Sequence, residues 1–492
     1  MSIIYQSTRD AKNQVSASQA ILKGIAEDGG LYVPQTFPTL PVSLEALADM
    51  SYQEIAFLVL RAFLSDFSDD ELRACVNSAY STTKFDIDDI VSIQSFGNKH
   101  YLELFHGETI AFKDMALSIL PYLMSTAAKK NDSHKDILIL TATSGDTGKA
   151  AMAGFADVPH TKIIVFYPKG GVSHIQELQM LTQKGDNTHV IGITGNFDDA
   201  QSAVKAMFTD TDMIEKVNQA GYQFSSANSI NIGRLMPQVA YYVYAYAQLV
   251  KNKVIRCGES INVSVPTGNF GNILAAYYAK QIGLPIDTFI CASNKNNVLS
   301  DFFATGTYNK NRPFYVTNSP SMDILISSNL ERLIYHAVEQ DTQKTRDLMH
   351  ALSQQGEYHV DLNDILSAFY GDFATEDNIT AQIKRTFDNY KYLIDPHTAV
   401  SDFVYDMYAE KTGDNKHVVI ASTASPYKFP KSVMSAFRHD NLDDDMALVD
   451  ALETLSNIPQ PQAVLDVKQA TIRHHKVVSV EEMAQSVLDC LS

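Results

Sequence analysis

The 492-residue sequence predicts an α/β fold, with parallel or mixed sheets flanked by helices and a mainly helical N-terminal region. Two observations carry this. From about residue 100, short β-branched runs alternate with stretches of helical spacing, the mark of parallel strands covered on both faces. Before about residue 95, apolar residues recur at helical intervals after polar starts. The chain is also too long for one ordinary core, so two or more domains are expected.

In chain order, Ser43–Leu47 and Ser51–Leu64 read as helices, separated by loops at Gly29-Gly30 and at Pro34, Pro38 and Pro41. Tyr101–Phe105 reads as a strand that runs through a glycine turn into a helix starting near Ala111. Further strands are expected at Ile137–Leu140, Ile163–Phe166, Val190–Ile193, Ile261–Val265, Phe289–Ala292 and Val418–Ile420. Residues 295–410 are expected to hold inserted helices, and the acidic run Asp440–Asp445 a solvated approach to a helix.

A formal charge of −18 argues against nucleic acid and anionic membranes as partners. It also requires any phosphate site to supply its own local positive potential. Four scattered cysteines, with no C-x-x-C and no metal-ligand spacing, suggest a reducing compartment and no metal. The N-terminus lacks a basic, apolar leader, and Met236–Val250 falls short of a membrane span, so a cytoplasmic location is expected.

Parallel sheets bind ligands beyond the carboxyl ends of their strands, so the loops there hold the candidate chemistry. Lys113 sits early in its helix between Phe112 and Met115. An apolar setting lowers a lysine's proton affinity and leaves the neutral amine that an aldehyde needs; an exposed lysine at a helix start is the plain alternative. Thr141–Lys149 fails as a G-x-x-x-x-G-K-[ST] loop, because Thr143 and Ala150 stand where Gly and Ser or Thr are needed. It remains a hydroxyl-rich turn at a helix N-terminus, suited to a carboxylate or phosphate, or simply a capped helix. Val265–Asn272, with two glycines and two asparagines in five residues, fits a backbone cradle for a phosphate monoester or a plain βα turn. Ala421–Pro426 ends a strand in hydroxyls that could meet a ligand ring nitrogen; on its own it reads as a solvated turn.

Together these segments resemble the threonine synthase family in its longer form. The likeness rests on H-G-x-T-x-x-F-K-D-M-A at 106–116, T-S-G-D-T-G at 143–148, N-F-D-D-A-Q at 196–201 and S-A-N-S-I-N-I-G-R-L at 226–235. P-T-G-N-F-G-N at 266–272, S-P-S-M-D-I-L-x-S-S-N-x-E-R-L at 319–333 and the start at Ser7–Pro34 belong to the same set. The resemblance implies fold type II of pyridoxal-phosphate enzymes, similar to tryptophan synthase β. It implies an N-terminal helical domain at 1–97 and a cofactor-binding catalytic region at 98–492, built of two interleaved α/β subdomains.

By the same resemblance, Lys113 carries pyridoxal 5′-phosphate as an imine, and Gly268, Asn269, Phe270, Gly271 and Asn272 hold the cofactor phosphate. Thr423 faces the pyridine nitrogen. Asp146 stands where related enzymes place an Asn near the cofactor 3′-oxygen. Ser144, Gly145 and Thr147 grip the substrate carboxylate, with Arg234, and Lys149 second, for the substrate phosphate. The implied reaction turns O-phospho-L-homoserine and water into L-threonine and phosphate, with Lys113 as the base for the proton steps. A monomer or homodimer is expected.

Three positions depart from the family pattern: Ser425 replaces His, Tyr427 replaces Ala, and Gly171 stands where Lys or Arg is usual. Two rivals remain at this point. One is a phospho-lyase that releases a 2-oxo acid, ammonia and phosphate. The other is a non-catalytic nucleotide-binding protein, which the failed phosphate-loop pattern and Lys113 both disfavour.

Overall fold

The computed structural model describes residues 3–143, 145–172, 174–438 and 444–491. Two sheets dominate it. The larger has six strands in the order Phe369–Phe373, Ile286–Ser293, Ile261–Pro266, Val418–Ser422, Lys99–Glu103 and Ser92–Phe96. All its pairs are parallel except the last. The smaller has five parallel strands: Val477–Val478, Thr188–Ile193, Thr161–Pro168, Asp136–Ala142 and Tyr222–Ser225. All six β-branched runs are strands of these two sheets. Ile261–Pro266 is buried at every position, as expected of a parallel strand covered on both faces.

The N-terminal helices Ala17–Lys23, Leu44–Leu47, Tyr52–Phe63 and Asp69–Ala79 begin after Ser16, Ser43, Ser51 and Ser68. Each serine accepts a bond from a first-turn amide, satisfying one of the donors that a helix start leaves open. The same region also contains a small antiparallel sheet, Gln14–Val15, Tyr5–Ser7 and Tyr32–Pro34. Strands of two or three residues are too short to show alternation, so sequence periodicity passes over them.

Arg332 ties this sheet to the rest of the chain. Fully buried, it donates to Tyr32 O at 2.9 Å, to Ile230 O at 2.6 Å and to Asn329 Oδ1. The Met236–Val250 segment lies in the buried helix Ile232–Lys251, and among the described residues no helix is long and apolar enough to cross a membrane. Inserted helices do fill 295–410, together with a two-stranded sheet at Thr307–Asn309 and Glu357–His359. Of the acidic run, residues 440–443 lie outside the described residues; Asp444 caps the helix Asp445–Ser456.

The strand leading to Lys113 spans Lys99–Glu103, two residues earlier than expected, and ends beside His106. His106 Nδ1 lies 2.9 Å from Asp86 Oδ1 and its Nε2 3.1 Å from Glu103 Oε2. Burial opposes the charge on this ring, but the two carboxylates outweigh it and raise His106 from 6.5 to about 9. Because the folded value is the higher, this contribution is complete below pH 6.5 and is lost as pH rises through about 9. Thermal stability is therefore expected to fall from pH 7 to 9.5 more steeply in the wild type than in His106→Gln. Parallel curves would remove this contribution.

Candidate active site

The site gathers where strand ends of the two sheets face each other. Lys113 opens the short helix Lys113–Leu117, two residues later than the expected start. The delay has a local cause: Thr109 N–H and Oγ1 both donate to the Asp114 carboxylate, at 2.8 and 2.6 Å, and close the chain into a turn first. Gly107 permits this closure, since a Cβ there would lie 2.6 Å from Asp114 Cβ. The turn is pinned to the next strand's exit. Phe112 N–H donates to Thr423 O at 2.8 Å, and Ser425 N–H to Ile110 O at 3.0 Å.

Lys113 Nζ lies 3.8 Å from Asp146 Oδ2, and its side chain is only 14% exposed. Burial lowers its proton affinity; Asp146 opposes this, while Lys428 and Arg234 add to it. Asp146 starts the helix Asp146–Phe155, after the strand Asp136–Ala142. Burial alone would raise its carboxyl. Lys428 and Lys113 outweigh burial and hold it well below the usual carboxylate value. Its two oxygens divide the work: Oδ1 accepts from Gln176 Nε2 at 3.0 Å and faces Lys428 Nζ at 3.3 Å, while Oδ2 accepts from Ser321 Oγ at 3.1 Å and faces Lys113.

Thr143 Oγ1 shapes the turn before Asp146, accepting from Gly145 N–H and Gly148 N–H at 3.0 Å each. Gly145's amide is thus already used. Among the described residues, nothing accepts from the N–H groups of Asp146 and Thr147. Ser144 lies outside the described residues. Lys149 is turned toward Gln183, to which its Nζ donates, and burial lowers it to about 8.

The Gly268–Asn272 loop follows the strand Ile261–Pro266 and enters the helix Gly271–Gln281. Its carbonyls are held from behind. Ser327 Oγ donates to Gly268 O at 2.6 Å, and Asn329 donates to Asn269 O through N–H and Nδ2, at 3.1 and 2.9 Å. Phe270 takes a left-handed conformation, φ 65°, which costs a non-glycine residue energy and signals imposed geometry. Among the described residues, no group accepts from the backbone N–H of Gly268, Asn269, Phe270, Gly271 or Asn272. Asn272 Nδ2 is buried without a partner.

Arg234, 4% exposed, donates Nη1 to Ala227 O at 2.9 Å, while its Nε is buried without a partner. Burial lowers it to about 10, and no carboxylate neutralises it. A row of free amides and an unmatched guanidinium are two anion-binding features in one site. A buried amine of lowered basicity stands with them. Thr423, 5% exposed, lines one small pocket with Lys113, Asp146, Ser321 and His397.

Three family models match this chain: "Threonine synthase N terminus" at residues 4–80, "Pyridoxal-phosphate dependent enzyme" at 100–423 and "Threonine synthase, C-terminal" at 398–476. Threonine synthase of Schizosaccharomyces pombe is 38% identical, with 88% of each chain covered. The chain belongs to the threonine synthase family. Its backbone matches a structure described as pyridoxal-phosphate-bound threonine synthase from Brucella melitensis, with TM-score 0.88, 34% identity and 99% of each chain covered. Threonine synthase-like 1 of Homo sapiens is 38% identical over 88% of this chain, which spans 60% of that protein's length.

Pyridoxal 5′-phosphate is therefore the cofactor, and the residues present fit it. The amide cradle with its unpartnered Asn272 suits a phosphate, and the largely buried amine of Lys113 suits an aldehyde. Gly268 is needed at its place, because a Cβ there would lie 2.7 Å from Ser321 O. Gly268→Ala is expected to shift the cradle at a cost of about 1–3 kcal/mol. The cofactor Kd, measured by absorbance titration, should rise about tenfold or more, and an unchanged Kd would show that the cradle does not bear on the cofactor.

Sequence reasoning passed over four residues of this site. Lys428, with 1% of its side chain exposed, donates to Thr109 O at 2.7 Å and pairs with Asp146. It lies two residues beyond the Ala421–Pro426 turn, where its neighbours alone give no sign of burial. Ser321 sits in a single turn, Pro320–Met322. Asp395 and His397 are the cap and first turn of the helix Pro396–Thr412, a start the sequence analysis did not single out. The family departures also find local explanations. Ser425 caps the turn Pro426–Lys428, and Tyr427 is buried with its hydroxyl on Ile458 O. Gly171 closes an exposed turn onto Pro168 O.

Proposed function

We propose that this chain converts O-phospho-L-homoserine and water into L-threonine and phosphate. The observation that carries the reading is the buried Lys113 amine, of lowered basicity and within reach of the unpaired Arg234 charge, together with the free amides of the 268–272 loop. Bound there, pyridoxal 5′-phosphate supplies an aldehyde for the amine and a ring that accepts the charge left when a proton leaves the substrate.

The amides of Gly268, Asn269, Phe270, Gly271 and Asn272 would hold the cofactor phosphate, and the Thr423 hydroxyl would serve the ring nitrogen. Arg234 binds the substrate phosphate. Because its charge has no partner in the protein, binding this group satisfies it rather than breaking an ion pair. The Asp146 and Thr147 amides, with Gly145 and Ser144 beside them, orient the substrate carboxylate. Lys149, held by Gln183, contributes long-range charge.

Lys113 Nζ takes the proton from the substrate α-carbon and serves again at the β-carbon. Asp146 sets its affinity for that proton. Burial of the site keeps water out until the β-carbon is ready to receive it.

The wider reading is of a cytoplasmic monomer or homodimer that binds no nucleic acid, supported by the charge of −18. Residues 1–97 are read as a mainly helical N-terminal domain and 98–492 as the catalytic region, with the strand Ser92–Phe96 of the first joining the six-stranded sheet of the second. The test is a combined assay of phosphate, threonine and keto acid after adding O-phospho-L-homoserine to the holoenzyme. Threonine and phosphate in equal amounts are expected. Phosphate with a keto acid would move the function to the phospho-lyase.

A further inference from the structure

Two pieces of chain touch the reaction pocket without a role in the reading above: the turn at Ser321 and the helix start at Asp395–Thr398. Ser321 joins them. Its Oγ donates to Asp146 Oδ2 at 3.1 Å, and its backbone N–H donates to His397 Nε2 at 3.2 Å. His397 Nδ1 lies 2.6 Å from Asp395 Oδ2, which also accepts from His397 N–H at 3.0 Å. Asp395 Oδ1 accepts from Thr398 N–H at 3.0 Å and from the Thr398 hydroxyl. Asp395 and Thr398 are 0% exposed and His397 3%.

This arrangement fits positioning better than proton transfer. Asp395 spends both oxygens within its own helix start. With Nδ1 given to Asp395, the His397 lone pair sits on Nε2 and is spent on the Ser321 amide. Among the described residues, the carboxylates near His397 include Asp395 on its own element and Asp146 and Asp323 from others. What Ser321 controls is the split carboxylate of Asp146. Lys428 draws on Oδ1 from 3.3 Å, and the weaker Lys113 contact at 3.8 Å leaves Oδ2 in need of a hold. Ser321 Oγ supplies it.

We propose that Asp395 and His397 are positioning residues that, through Ser321, keep Asp146 Oδ2 aimed at the Lys113 nitrogen. The inference rests on the reading of Lys113 as the cofactor lysine. It gives the Ser-Pro-Ser-Met-Asp segment at 319–323 a role in setting the proton affinity at the reacting centre.

The test is the pH dependence of the holoenzyme's visible absorption in wild type, Ser321→Ala, His397→Leu and the double variant. Freed from Ser321, Asp146 swings toward Lys428, and the protonated nitrogen at Lys113 loses its counter-charge. Each single variant should lower the apparent pKa of the band by at least about half a unit, roughly threefold in proton affinity. The double variant should fall no lower than Ser321→Ala alone, because both changes cut one path. His397→Gln, whose side-chain oxygen can accept the Ser321 N–H, should restore the wild-type value. Additive shifts, or an unmoved pKa in either single variant, overturn the proposal. If His397→Leu does not fold, Ser321→Ala and His397→Gln decide it between them. A wild-type holoenzyme with no visible band would instead refute the role of Lys113, and the proposal would fall with it.

Discussion

Lys113→Ala is expected to yield a folded protein that retains no yellow cofactor band after gel filtration and turns over substrate at least about 10³-fold more slowly. The loss has two sources. On the proposed reading, the variant has neither an amine to hold the cofactor nor a base at the substrate α-carbon. Folding should survive, because the backbone of residue 113 is fixed by others: Phe112 N–H on Thr423 O and Thr109 on Asp114 close the turn without the lysine side chain. Lys113→Arg separates charge from chemistry. It keeps a cation opposite Asp146 and should be nearly as inactive. A Lys113→Ala protein that still forms the stable band would place the cofactor on another amine, with Lys428 the nearest buried one.

Arg234→Met is the second large effect. Hydrogen bonds to charged groups contribute about 1.5–3 kcal/mol, so KM for the phosphorylated substrate should rise roughly 10- to 150-fold, with a smaller change in kcat. Methionine fills much of the same volume, which limits collapse of the helix Ile232–Lys251 around the site. The same experiment on Lys149→Met should give a much smaller rise, because that ammonium is already engaged by Gln183. Equal effects from the two variants would mean that the substrate phosphate lies between them, and an unchanged KM in Arg234→Met would remove Arg234 from substrate binding.

The parts of this molecule that could be read in the sequence are those whose chemistry is local. Six apolar, β-branched runs became strands because each is long enough to show its pattern and is buried on both faces. Ser43 and Ser51 announced their helices because a capping serine acts within three residues of itself. Lys113 and the 268–272 loop stood out through family likeness. The structure added unpaired amides and an amine of lowered basicity, neither of which periodicity can show. Asp395, His397, Ser321 and Lys428 were missed for the opposite reason. Each looks ordinary among its neighbours and gains meaning only from residues far away in the chain. Asp146 was expected near the cofactor from its place in T-S-G-D-T-G, but the division of its oxygens between two lysines depends on Lys428, which the sequence sets 282 positions further on.

The position of the strand Val418–Ser422 bears on when the enzyme comes to life. It lies between Ile261–Pro266 and Lys99–Glu103, so the six-stranded sheet has a gap in its middle until residues 418–422 have been synthesised. The bond from Lys428 to Thr109 spans 319 residues, which at 5–20 residues per second takes about 15–60 s to synthesise. Throughout that interval the Lys113 segment has neither the Thr423 carbonyl nor Lys428 to shape it. A chain that stalls before residue 418 therefore lacks the central strand of its larger sheet and two of the groups that close the turn before Lys113.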